Sequence, residues 1–130
     1  MRLLLDTHIA LWAVVNSPRL SRAARELILS PDNRVWVSAA SVWEITIKHA
    51  LGRGDMPVSG ARANALFALS GYESLAVDAQ HAAAVALLPQ QGMHADPFDR
   101  MLIAQARAES MTLLTHDADV AAYGNGVMQV

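Results

Sequence analysis

The sequence predicts an α/β domain built on a parallel sheet. Short apolar runs alternate with helix-like segments along the 130 residues, a pattern that crossover helices impose on parallel strands. Hydrophobic residues make up 53% of the chain, which suits a sheet buried on both faces or an apolar patch kept for a partner. Acids also recur where apolar runs give way to helices, and in an open parallel sheet ligands bind beyond the carboxyl ends of the strands.

Leu3-Leu4-Leu5 reads as a short buried strand. A helix follows over about Thr7–Val15, and Asn16-Ser17-Pro18 stops it. Ser21 caps a second helix to about Leu29, with Ala23, Ala24, Leu27 and Ile28 on one face. Ser30-Pro31-Asp32-Asn33 is a turn cluster. Arg34–Val37, rich in β-formers, is the second strand. Ser38–Leu51 is a helix that Gly52 ends. Another helix runs over Ser59–Leu69 behind Pro57, and Glu73–Ala76 is a third strand. Asp78 caps a helix to Leu88, which Pro89 closes, and residues 90–95 form a loop. Asp96 caps a helix to about Glu109, with Pro97 at its favoured first position. Thr112–Leu114 is the fourth strand, Asp117–Ala122 a short helix, and Val127–Val130 a fifth strand at the sheet edge. With no repeat, linker or low-complexity segment, residues 1–130 read as a single domain.

The formal net charge is −2, so no overall basic field advertises nucleic acid, and any such partner must be met by a local rim. Lys48, Arg53 and Arg100 are candidates for that rim. The chain has no cysteine, which excludes disulfides, zinc thiolates, iron–sulfur clusters and a Cys nucleophile. The leucine run before Asp6 is too short for a signal peptide or a membrane span, so the expectation is a soluble cytoplasmic protein.

Four acids stand out. Asp6 follows the first strand, and either caps the next helix or faces a ligand, roles that can coexist. Glu44 sits among Val42, Trp43, Ile45 and Ile47; it could close a Ser41-x-x-Glu44 capping box or pair with Lys48. Asp99 lies in an Asp-Pro-x-Asp helix start whose cap is already supplied by Asp96. Asp117 follows Thr115-His116 at a strand end. Converging carboxylates resist full ionisation unless a cation lies between them, and oxygen ligands around a metal point to phosphate chemistry. The histidines His8, His49, His81, His94 and His116 show no zinc-type spacing and read as loop or surface residues. Trp12, Trp36 and Trp43 read as core or near-core, with a lesser option of Trp12 or Trp43 in a partner groove.

These strings resemble the PIN-domain ribonucleases, and within them the VapC-type toxins of bacterial toxin–antitoxin pairs. The matching segments are Leu3-Leu4-Leu5-Asp6-Thr7-His8, the run from Val37 to Ile45 with Glu44, the run from Asp96 to Ala106 with Asp99, and Leu113-Leu114-Thr115-His116-Asp117. They occur in the family's order and span nearly the whole chain. The resemblance implies a three-layer α/β/α fold around a central parallel sheet of four or five strands, order 3-2-1-4-5. It implies Mg²⁺-dependent RNA cleavage in which Mn²⁺ may substitute. Asp6, Glu44, Asp99 and Asp117 would be both catalytic and metal-binding, with Thr7, Asp96 and Thr115 supporting them. It also implies a homodimer blocked by a small cognate antitoxin, which docks an apolar helix and alone touches DNA. One departure is the missing net positive charge. The rivals are a catalytically silent PIN-like module that binds RNA or an antitoxin, and an aspartyl-phosphatase. The latter often needs a second acid where His8 stands.

Overall fold

Leu3, Leu4 and Leu5 are all buried, and their alternation sets out the layers. Side chains along a strand point to opposite faces in turn. Leu3 and Leu5 join Val35, Val37 and Leu114 in one core, whereas Leu4 joins Trp36 and Leu113 in another. The computed structural model describes residues 1–52, 55–90 and 96–130.

The strands are β1 (Arg2–Leu5), β2 (Arg34–Ser38), β3 (Glu73–Leu75), β4 (Thr112–Thr115) and β5 (Val127–Gln129). They form one sheet in the order β3-β2-β1-β4-β5, and every pairing is parallel. The helices are α1 (Thr7–Val14), α2 (Arg22–Leu29), α3 (Ala39–Ala50), α4 (Gly60–Leu69), α5 (Ala79–Ala84), α6 (Pro97–Ala108) and α7 (Ala118–Ala121). Ile9, Ala10, Leu11, Ala24, Ile45, Ala63 and Phe67 from α1 to α4 cover one face. Leu102, Ile103, Ala106 and Val120 from α6 and α7 cover the other. The fold is therefore the expected α/β/α arrangement in the expected order.

Several boundaries differ from the sequence reading, each for a local reason. β3 stops at Leu75 because the carbonyl of Ala76 is taken by the Gln105 side chain, whose Nε2 donates to it at 3.2 Å. The segment after Asp78 stays α-helical only to Ala84 and tightens into a 3₁₀ turn over Val85–Leu87. Leu88 is extended (φ −76°, ψ 141°), as a residue before proline prefers. β4 runs on to Thr115, whose carbonyl accepts the Val130 N–H at 2.9 Å. Ser38, not Ser41, caps α3, accepting from the Ala40 N–H at 3.0 Å, so the Ser41–Glu44 capping box does not form. Gly52 has φ +69° just past α3, the left-handed conformation expected of a helix-ending glycine. The expected loop over residues 90–95 and the basic Arg53 fall wholly or partly outside the described residues.

The chain runs outward from β1 to β2 and β3, then returns to lay β4 on the other side of β1. The strand order thus reverses between β1 and β4, and the loops leaving these two strands splay apart there. Asp6 leaves β1, and Thr115 ends β4.

Candidate active site

Asp6, Glu44, Asp96, Asp99 and Asp117 line one open pocket of about 400 Å³ at this reversal point. His8, Trp12, Arg19, Lys48, Asp55 and His116 complete its walls. The four acids singled out in the sequence thus come from four separate segments to one place.

Each acid is held by its own segment. Asp6 caps α1: its Oδ1 accepts from the Thr7 N–H at 2.8 Å. Its Oδ2 accepts from the Thr115 hydroxyl at 2.6 Å, and that hydroxyl oxygen accepts in turn from the Asp117 N–H at 3.0 Å. One threonine therefore joins the acids that follow β1 and β4. Asp117 caps α7, accepting from the Asp119 N–H at 2.8 Å. Asp96 caps α6 through the N–H groups of Phe98 and Asp99, at 2.9 and 3.0 Å. Asp96 is thus the cap the sequence suggests, and it also lines the pocket. Asp99 stands in the first turn of α6.

Glu44 is buried, and two groups hold it. Lys48, one turn on, donates to its Oε2 at 2.5 Å, which is the Glu-before-Lys pairing. The Thr7 hydroxyl lies 2.8 Å from Oε1 and 2.9 Å from the Ser41 hydroxyl. A hydroxyl has one proton to give, so Thr7 donates to the carboxylate and accepts from Ser41. The fully buried Ser41 thus begins a relay that orients Glu44. Its sequence signal, a Ser three residues before a Glu, is also that of a capping box.

The acids crowd one another. Burial and, less strongly, Glu44 push the Asp6 carboxyl above its ordinary range, although Thr115, Thr7 and His8 oppose the shift. Asp99 is pushed up to about 8, first by burial and then by Asp6, Asp96, Glu44 and Asp117. Burial pulls the Lys48 ammonium down, but Glu44, Asp96 and Asp55 outweigh it and leave it raised. His8 bonds the Asp55 carboxylate at 3.0 Å and holds it below its usual range.

The Asp99 shift has a measurable consequence. Without metal, the folded carboxyl keeps its proton up to about pH 8, while the unfolded one releases it near 3.8. The folded state therefore binds more protons in between, and its stability falls as pH rises through that window. Melting temperatures in chelator should drop between about pH 5 and 8, and Asp99→Asn should flatten the slope. An equal slope in that variant would assign the effect to other groups.

A divalent cation suits this pocket. Its donors are carboxylate and hydroxyl oxygens, the hard ligands that Mg²⁺ and Mn²⁺ take. The acids crowd one another, and Asp6, Asp96, Glu44 and Asp117 all raise the Asp99 carboxyl, a repulsion that a cation between them would relieve. Among the described residues, no three of them bring oxygens within 4.8 Å of one another.

Several readings of the sequence fail. Arg100 does not face the pocket: its guanidinium donates to the carbonyls of Val85, Leu88 and Pro89 and to the Tyr123 hydroxyl, tying α6 to the 3₁₀ turn. His81 is not a surface residue but buried, its Nδ1 accepting from the Asp78 N–H at 3.2 Å. Nε2 therefore carries the proton and donates to Glu109 at 2.9 Å. Asp78, His81 and Glu109 do bring ligand atoms within 4.8 Å of one another, but these hydrogen bonds already satisfy both ring nitrogens. Among the tryptophans only Trp36 is core; Trp12 is half-buried in the pocket wall, and Trp43 is 62% exposed.

Among the described residues, no helix is long and apolar enough to cross a membrane. No curated protein matches the sequence. Solved structures do match the fold. VapBC2 from Rickettsia felis, bound to a DNA fragment from its promoter, superposes with a TM-score of 0.73 at 20% identity, covering 99% of this chain and 98% of that one. VapBC-1 from nontypeable Haemophilus influenzae gives 0.66 at 22% identity, over 100% and 97%. VapBC-5 from Mycobacterium tuberculosis gives 0.63 at 23% identity, over 99% and 97%. The PIN domain family matches the sequence itself over residues 3–126, from β1 to the turn before β5, and the chain belongs to that family.

Proposed function

We propose that this protein is a metal-dependent endoribonuclease of the VapC type, silenced by a cognate antitoxin and working in the cytoplasm as one PIN unit over residues 1–130. The observation that carries the reading is the meeting of Asp6, Glu44, Asp99 and Asp117 in one pocket at the point where strand order reverses. In this reading these four acids hold Mg²⁺ or Mn²⁺. The bound ion supplies an activated water and offsets charge on the transferring phosphoryl oxygens. Thr115 holds Asp6, Thr7 holds Glu44, and Asp96 fixes the helix start that presents Asp99. The described residues offer no hydroxyl paired with a histidine as a nucleophile, so water is the attacker.

The experiment is cleavage of RNA by the purified protein with Mg²⁺ or Mn²⁺, with and without chelator. Fragments that appear only with the metal support the reading. Intact RNA under every condition would leave a silent binding module. The similar structures include toxin–antitoxin complexes, which favours an antitoxin partner here. A cationic side chain from that antitoxin would compete for the crowded acids.

We also propose a homodimer. Trp43 packs edge-on against Phe98 with ring centroids 5.3 Å apart. Beside them an apolar groove of about 430 Å³ is lined by Ala39, Ala40, Val77, Pro97 and Met101. A two-fold contact needs one patch that fits itself, and a projecting ring beside an apolar hollow meets that need. Trp43→Ser should leave the circular-dichroism spectrum of the folded chain unchanged, because the side chain is exposed on the single chain, and should convert the dimer to monomer in light scattering. A variant that stays dimeric would move the interface elsewhere.

A further inference from the structure

The acid pocket already holds a cation of its own. Six carboxylates line it, from Asp6, Glu44, Asp55, Asp96, Asp99 and Asp117, and Lys48 and Arg19 are the permanent cations among its walls. Arg19 is exposed, whereas the Lys48 side chain is 29% exposed and lies 2.5 Å from the buried Glu44 carboxylate. Lys48 is also the only lysine of the chain; every other permanently cationic side chain is an arginine. The difference matters, because an ammonium is a compact point charge, closer in shape to a metal ion than a planar guanidinium is.

Helix α3 fixes the pairing, since residues four apart share a face. Burial pulls the ammonium down, but Glu44, Asp96 and Asp55 outweigh it and keep the proton in place. The acids therefore fall into two sets. Glu44, Asp96 and Asp55 act on Lys48. Asp6 and Asp117 are joined by the Thr115 hydroxyl. After burial, acids of both sets raise Asp99: Asp6 and Asp117 from one, Asp96 and Glu44 from the other. Sites that use two ions for phosphoryl chemistry set them about 3.5–4 Å apart, so each ion needs its own share of carboxylate. Here one share is already given to an ammonium.

We propose that the Lys48 ammonium takes the place of a second metal ion, so that this pocket admits one divalent cation, beside Asp6, Asp99 and Asp117. The inference rests on the metal of the nuclease reading, but its test needs no RNA. A second ion would have to push Lys48 off Glu44 or sit against a like charge. Glu44 still serves the one ion. A carboxylate has about four lone-pair sites, and Thr7 and Lys48 each use one.

The test counts ions. Mn²⁺ is titrated into the whole protein, and the free ion is read from its electron paramagnetic resonance signal. Wild type should take one Mn²⁺ per chain. Lys48→Gln and Lys48→Met should take two, with folding checked by circular dichroism. Protein carrying ¹³C-labelled lysine gives a second reading, because a single lysine makes the signal that of Lys48 alone. Saturating Mg²⁺ should leave that signal away from the position of a solvent-exposed lysine, since the Glu44 pairing holds. If the neutral variants do not fold, this reading decides. Two ions in wild type, one in both neutral variants, or a lysine signal that moves to the solvent-exposed position overturns the proposal, as does a wild type that takes no ion. One ion with RNA left intact keeps the role of Lys48 and removes the nuclease; two ions with cleavage do the reverse.

Discussion

Asp6→Asn should abolish RNA cleavage and leave the metal-free protein at least as stable as the wild type. The activity loss should be about 10³-fold or more, since a metal supplies several kcal/mol of charge stabilisation in such transition states. The stability argument is local. The Oδ1 that caps α1 survives in Asn, and the amide can donate to the Thr115 oxygen where the carboxylate accepted from it. The carboxyl is also buried and pushed toward its neutral form, so a neutral amide relieves a desolvation cost. Wild-type protein should gain melting temperature on adding Mg²⁺, because a ligand bound only by the folded state stabilises it, and Asp6→Asn should lose that gain. Both are read by thermal denaturation beside the cleavage assay. A folded Asp6→Asn protein with full activity would remove Asp6 from the catalytic set.

Gly60→Ala should be the most damaging small substitution in the fold. A Cβ on Gly60, at the start of α4, would lie 1.7 Å from Thr46 Oγ1, 2.9 Å from Thr46 Cβ and 3.1 Å from the Val42 carbonyl oxygen, all on α3. Thr46 is β-branched, and its hydroxyl is bonded to Val42 at 2.8 Å, so it cannot turn away freely. The helices must part, at a cost of about 1–3 kcal/mol or more. Denaturant melts should show that loss, and Thr46→Ala in the same protein should restore only part of it, because Cβ remains. Gly60→Ala melting like wild type would mean that α3 and α4 separate easily. Because α3 carries Ser41, Glu44 and Lys48, the variant should also lose cleavage beyond its loss of folded protein.

The layers and the acids were readable because their signals are local. Leu3-Leu4-Leu5, Val35-Trp36-Val37 and Leu113-Leu114 are apolar on both faces, as a doubly covered sheet requires. Asp6, Asp96 and Asp117 sit where strands or loops enter helices, and capping puts each side chain at a known end of its helix. Directions decided by distant partners were not readable. The Ser41 hydroxyl, already inside the first turn of α3, turns to Thr7, thirty-four residues back, rather than to its own helix end. Arg100 turned from the pocket because carbonyls at residues 85–89 offered it acceptors. His81 went inward because Gln105 and Glu109, more than twenty residues on, close round it. The strand order came from the family resemblance, since alternation of strands and helices alone is silent on which side of β1 the fourth strand returns.

The bond between Thr115 and Asp6 spans 109 positions of sequence, and β1 lies in the sheet between partners drawn from both halves of the chain. During synthesis Asp6 leaves the ribosome early, with neither Thr115 nor Asp117 yet made. The pocket therefore does not exist on a nascent polypeptide until β4 has emerged and slotted in beside β1. A long-range closure of this kind is a slow step in folding. In the nuclease reading proposed above, cleavage would wait until β4 has paired with β1.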